Sequence, residues 1–304
     1  MHGFLVIDKP AGITSHDVVA RVRRVLNQKK VGHTGTLDPF ATGVLPVALG
    51  DATKVISYLN ESLKEYRAIM RLGITTDTQD CTGKVLRQSD SKKVTETLVL
   101  EAFANFTGTI SQVPPMFSAI KQGGVPLYKL ARLGEEVERA ARQICVHTLS
   151  LNQYQLPYVT FTVRCSRGTY VRTLANDIGD ALGCGAHLVE LRRLRSGSFA
   201  EEMAIPLELL QKLSLDGHLP EVLISPLRAL SHLPCVPLTD SGAKNVGFGR
   251  SPSEGDYATL PEGRLLPEQT ACLVYEGKLL AIASISQPST SDKEKTIRLL
   301  RVFS

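Results

Sequence analysis

The chain has 304 residues, 43% of them hydrophobic and 21% charged, with a formal net charge of +5. That length suggests roughly two domains with a substantial core, and the composition is that of a soluble globular protein rather than a disordered or fibrous one. No apolar run approaches the roughly 20 residues of a membrane span, and the opening MHGFLVIDKPAG lacks the charged start and long apolar stretch of a secretion signal.

Six scattered cysteines form no CxxC and read as reduced thiols of a cytosolic protein. Cys184 and His187 resemble half a zinc site, but no second half stands out. Residues 233–304 balance their charges, so the basic excess lies in residues 1–232. That excess hints at a polyanionic partner and equally fits a mildly basic soluble enzyme.

In chain order, FLVI (4–7) is a short buried strand, and Asp8–Gly12 a turn in which Lys9 precedes a proline and is extended. Ser15 to about Asn27 is a helix capped by Thr14 or Ser15, with Val18, Val22, Val25 and Leu26 on one face and arginines away from it. The stretch Val31–Gly50, VGHTGTLDPFATGVLPVALG, reads as a structured loop because of its glycines and prolines. Asp38 stands within it, pinned by Pro39. A lone carboxylate in such a loop is either an Asx-turn residue or a catalytic group.

Glu65–Gly73 alternates Tyr66, Ala68, Met70 and Leu72 with Arg67 and Arg71, a strand with one basic face. Thr75–Gly83 is a polar loop whose spacing fits neither a metal loop nor a phosphatase motif. Thr95–Phe106 is helical. About 112–142 is a mobile, exposed insertion with two turns and a short helix. VTFTVRCS (159–166) is a strand, and Tyr170–Leu182 a helix with Thr169 as N-cap and Gly183 as stop. Arg172 therefore sits in a first turn, where the helix dipole prefers an anion, so something negative should compensate it. ELRRLR (190–195) is a dense basic run, Leu207–Leu215 a helix, and prolines near 233–237 mark a boundary before a small β-rich tail.

Three chemistries compete for the 31–50 stretch. GHTG matches the GxxG clamp of KH modules, but the prolines oppose the helix that must follow. A phosphate cradle fails because no GK[ST] follows. Third, Asp38 is a catalytic carboxylate served by Arg172, with Tyr66 and Tyr170 as aromatic walls.

The same stretch is similar to the signature loop of the TruB-type tRNA pseudouridine synthases, the bacterial tRNA pseudouridine-55 synthases. LVIDKPAGITSHDVV resembles their KP segment, EYRAIMRLGITTDTQDCTG their tyrosine strand and acidic loop, VPPMFSAIKQGGVPLYKLARLGEEVERAAR their thumb insertion, and CSRGTYVRTLANDIGDALGCGAHLVELRRLRSG their arginine segment. The resemblance runs over roughly residues 3–232, and the tail resembles the family's small PUA-type RNA-binding domain. It implies an α+β fold: a mixed, mainly antiparallel sheet with flanking helices in residues 1–232, a thumb at about 112–142, and a PUA-like domain at 233–304. It implies uridine isomerisation at position 55 in the tRNA T loop. Asp38 attacks the flipped uridine, Arg172 pairs with Asp38, and Tyr66 lies against the base and handles a proton. Tyr170 lines the pocket, His33 contacts RNA near the vacated stack, Lys9 supports the site, and Asp80 touches substrate. No metal or cofactor is implied, since the reaction needs neither redox change nor phosphate energy. The implied setting is cytoplasmic, a monomer with the tRNA T arm as partner, no membrane, and no obligatory protein partner. The alternatives are a non-catalytic RNA-binding or tRNA-folding protein and a synthase of a guide-RNA particle.

Overall fold

β1 (Gly3–Lys9) is buried along nearly its whole length, as its apolar run requires. α1 (Ser15–Val25) starts on a reciprocal cap: the Thr14 hydroxyl accepts from the Asp17 N–H, and the Asp17 carboxylate accepts from the Thr14 N–H. A cap of this kind contributes about 1 kcal/mol. β2 (Val31–His33) and β3 (Thr42–Leu49) follow. β4 (Leu63–Leu72) buries Tyr66, Ala68, Met70 and Leu72 as its alternation predicts. β5 (Ile74–Thr76) and β6 (Val85–Gln88) form a small ribbon around the polar loop. α2 (Glu96–Asn105), capped by Thr95, leads to β7 (Gly108–Gln112).

In the insertion lie β8 (Lys121–Gln122), β9 (Val125–Pro126) and α3 (Leu127–Arg132). It is mostly exposed, yet Ser118 and Leu127 are buried and anchor its base. β10 (Arg142–Gln155) and β11 (Tyr158–Ser166) form a long hairpin. α4 (Val171–Ala181) buries Val171, Leu174 and Ile178, and Gly183 follows its end with a positive φ of 78°. β12 (Ala186–Ser196), β13 (Phe199–Ala200), β14 (Ile205–Pro206), α5 (Leu209–Leu215), α6 (Leu219–Val222) and α7 (Pro226–Ala229) complete the first sheet and its cover. β15 (Cys235–Pro237), α8 (Asp240–Gly247), β16 (Thr270–Tyr275), β17 (Lys278–Ile285) and β18 (Ile297–Val302) make the C-terminal part.

The computed structural model describes residues 1–258, 269–285 and 297–303. Among these, one large sheet runs β14-β1-β3-β12-β4-β11-β10-β7, with β2 paired to β3 and β13 to β12. Its pairings are antiparallel except β1 with β14 and β3 with β12. The second sheet runs β15-β16-β17-β18. One hydrophobic cluster joins Phe4, Val6 and Ala48 of the large sheet to Cys272 and Ile282 of the small one, so the two sheets share packed apolar surface. Among the described residues no helix is long and apolar enough to cross a membrane.

Four local readings are corrected. Much of 31–50 is strand rather than loop: GVLPVAL is apolar enough for the sheet interior, and β3 tolerates Pro46 where its neighbour changes. β12 pairs with Thr42 and Gly43, β2 with Val47 to Leu49, and the Pro46 carbonyl accepts from the Thr34 N–H. The basic run 190–195 belongs to a central strand, with Arg193 buried in it. Thr169 is not the N-cap of α4; Tyr170 is, and its backbone is held by Gln112, whose side chain accepts from the Tyr170 N–H and donates to its carbonyl. In the β-rich tail, among the described residues of GDYATL (255–260) Tyr257 alone bridges, to Leu238, after a tight turn at Glu254–Asp256. Thr259, Leu260, Ser286, Thr296 and Ser304 of the expected tail strands lie outside the described residues.

Candidate active site

Asp38 lies in the short connection that remains between β2 and β3. The backbone around it is tied down at each step. Leu37 is buried, its N–H donates to the Ser15 hydroxyl at 2.9 Å, and that hydroxyl donates back to the Leu37 carbonyl. The Ala41 N–H donates to the Asp38 carbonyl, and the Gly12 N–H to the Pro39 carbonyl. Lys9 is fully buried rather than solvated, and its ammonium donates to the carbonyls of Pro10, Ile13 and Pro39 at 2.9, 2.7 and 3.2 Å. Burial pushes its pKa down to about 8, with Asp38 pulling it back up and Arg193 pressing it down.

Arg172 reaches Asp38 from the first turn of α4. Its Nε lies 2.8 Å from Oδ2, and its Nη2 donates to Oδ1 at 3.2 Å. The Arg172 side chain is 4% exposed and that of Asp38 34%, so the arginine is sequestered while the carboxylate still reaches solvent. Arg172 also donates to the Thr78 carbonyl at 2.7 Å and the Phe117 carbonyl at 2.9 Å, and its Nη1 lies 3.3 Å from Asp80 Oδ2. Desolvation pushes the Asp38 carboxyl above the usual carboxylate range, and the Arg172 charge opposes that push. The anion demanded at this helix start is thus supplied twice, by Asp38 and by Asp80.

Asp80 is buried against Arg172. Its Oδ1 accepts from the Thr78 hydroxyl, the Thr82 N–H and the Thr82 hydroxyl. Both its oxygens are engaged within the protein, and Oδ2 supports Arg172. Tyr66, on β4, is buried beside Asp38 and Arg193; burial pushes its phenol up, with Arg193 pulling it down. Tyr170 is half-buried near Asp38 and Arg172, and burial raises its phenol too. His33 packs edge-on against His16 at 5.2 Å between ring centroids; burial lowers its pKa, and His16 adds to the effect.

The residues that sequence reasoning missed are Arg193 and Lys64. Arg193 is 1% exposed and donates to main-chain carbonyls of the Asp38 segment. Lys64 is buried, donates to the Ser196 hydroxyl at 2.7 Å, and is pushed down to about 8 by burial and by Arg193. Treating ELRRLR as a strand would have exposed the signal, since Leu191 and Arg193 then alternate onto one buried face. Arg192 forms ion pairs with Asp8 and Glu201. His187 faces the Ile74 carbonyl, and among the described residues no cluster of three His, Cys, Asp or Glu could hold a metal.

Comparison with known proteins bears on this constellation. Residues 23–171 match the family described as "TruB family pseudouridylate synthase (N terminal domain)" and residues 172–230 the "tRNA pseudouridylate synthase B C-terminal domain". The chain belongs to the TruB family. It is 56% identical over 303 residues to "tRNA pseudouridine synthase B" of Geotalea uraniireducens, covering 100% of this chain and 98% of that one. It is 55% identical to the protein of the same name from Geobacter sulfurreducens, covering 100% of both. Among solved structures, a Cbf5-Nop10-Gar1 complex contains a chain similar at a TM-score of 0.74 and 32% identity, covering 99% of this chain and 84% of that one. As a TruB member the chain is a tRNA-modifying pseudouridine synthase, an isomerase of uridine. Arg172, which opens the second family segment, pairs with Asp38 of the first.

Proposed function

We propose that this TruB enzyme converts uridine 55 in the T loop of tRNA to pseudouridine, with Asp38 as its nucleophile. The observation that carries the reading is the Asp38–Arg172 pair: a partly exposed carboxylate gripped by a buried guanidinium whose charge favours its ionised form. The reaction breaks the N1–C1′ bond, turns the base, forms a C5–C1′ bond, removes the proton from C5 and returns one to N1. A base in folded tRNA must first leave its stack. Tyr66 and Tyr170 then offer rings against the extruded base, and the Tyr66 hydroxyl handles a proton. His33 meets the RNA at the vacated position, Lys9 fixes the Pro39 carbonyl next to the nucleophile, and Asp80 holds Arg172.

Residues 233–304 are proposed as a PUA-like domain that holds RNA, with the catalytic domain in 1–232. The enzyme works in the cytoplasm as a monomer on the T arm, without an obligatory protein partner. A sizing column run with and without tRNA checks the monomer, and the full-length match to singly named relatives favours it over a guide-RNA particle. The decisive assay incubates the protein with unmodified tRNA transcript and counts pseudouridine. Asp38→Asn abolishes turnover and leaves tRNA affinity within about tenfold, about 1.4 kcal/mol. Product from this variant, or from a transcript carrying cytidine at position 55, refutes the reading. A purely RNA-binding protein gives no product even as wild type.

A further inference from the structure

We infer that Arg193 is a positioning residue for the isomerisation, tying both arms of the Asp38 loop to the strand that faces Tyr66. The inference rests on the proposed roles of Asp38 and Tyr66. Arg193 lies in the middle of β12, directly across from Tyr66 on β4 and from Gly43 on β3. Its Nε donates to the Val44 carbonyl at 2.7 Å, after Asp38, and its Nη2 to the Gly35 carbonyl at 3.1 Å, before it; Nη1 faces the Thr36 carbonyl at 3.5 Å. One planar fork therefore spans the loop on both sides of the nucleophile, which a lysine could not do.

The backbone grips the same place. A Cβ on Gly43, where φ is +97°, would stand 2.3 Å from the Arg193 carbonyl oxygen. Three carbonyls can be satisfied by neutral donors, so the fold alone does not call for a charge here. A buried guanidinium is costly unless the charge is used. Among the described residues no carboxylate forms an ion pair with Arg193, and its buried neighbour Lys64 is another cation. Directly across the sheet stands Tyr66, whose buried phenol the Arg193 charge pulls toward ionisation against the effect of burial. Arg193 thus fixes the nucleophile's loop and biases the proton-handling phenol from one position.

The test compares Arg193→Gln, which keeps donors and loses the charge, with Arg193→Lys, which keeps the charge and loses the fork. Single-turnover rates are measured with saturating unmodified tRNA, alongside tRNA affinity and thermal melting. Both variants are expected to bind tRNA within about threefold of wild type and to react at least ~100-fold more slowly, about 2.7 kcal/mol in barrier. Adding Tyr66→Phe to Arg193→Gln should then cost much less than the same change in wild type, because the two groups act together. A merely structural arginine leaves those losses multiplicative, which overturns the inference. So does a folded, tRNA-saturated Arg193→Gln protein that reacts at the wild-type rate. If Arg193→Gln fails to fold, the same cycle on Arg193→Lys decides. Asp38→Asn runs in parallel: activity there sinks the underlying assignment, whereas its inactivity beside a fully active Arg193→Gln sinks this inference alone.

Discussion

Arg172→Lys is the most informative perturbation of the site. The arginine spreads its contacts over Asp38, Asp80 and the carbonyls of Thr78 and Phe117. A lysine ammonium keeps the charge but has three donors at one point and cannot reach all four groups. Losing one or two charge-assisted bonds in a buried setting costs about 2–4 kcal/mol of stability. The effect on Asp38 has a definite sign. Burial raises its pKa and Arg172 opposes the rise, so a looser cation leaves the carboxyl higher. Activity needs the ionised form, which is lost as pH falls through that pKa. The acid limb of the pH–rate profile should therefore move to higher pH, and the plateau should drop at least ~100-fold because the carboxylate is no longer held by two nitrogens. Single-turnover rates on tRNA transcript from pH 5 to 8, with urea melts of both proteins, measure both effects. An unmoved acid limb with a wild-type plateau would refute the reasoning.

Lys64→Met should flatten part of the alkaline stability profile. Burial pushes Lys64 down to about 8 in the folded protein from the ordinary lysine value of 10.5, so the unfolded chain binds more protons between those values. Wild-type stability then rises with pH across that window, by up to about 3 kcal/mol relative to the variant; parallel profiles in urea melts would show otherwise. Gly43→Ala should cost about 2–4 kcal/mol and slow turnover, since its Cβ meets the Arg193 carbonyl at a positive φ; a wild-type melting temperature would contradict it. Cutting after Ser231 should lower stability by several kcal/mol, because Phe4, Val6 and Phe199 lose the cover of Cys272 and Ile282. An unchanged circular-dichroism melt would refute that, and tRNA affinity should fall alongside.

Local pattern was legible wherever a residue's role depends on its neighbours in sequence. The period of two in β4 gave its buried face, the period of 3.6 gave α1 and α4, and Thr14, Thr95 and Gly183 marked helix ends. Resemblance over most of the chain carried the family, and the arginine at a helix start announced that an anion must come to it. Which anion came was beyond local reading. Asp38 and Asp80 lie 134 and 92 residues from Arg172, and only the sheet order β3-β12-β4 with α4 packed across it brings them together. Burial of charge was equally hidden. Lys9, Lys64 and Arg193 have the residue types of a solvated surface, and each is buried because main-chain carbonyls or a hydroxyl from distant segments satisfy its hydrogen bonds. The sequence by itself determined β4, α1 with its Thr14 cap, and the family. The tertiary structure decided which cations leave water and how they hold one partly exposed carboxylate, because desolvation and hydrogen-bond partners are properties of the packed whole.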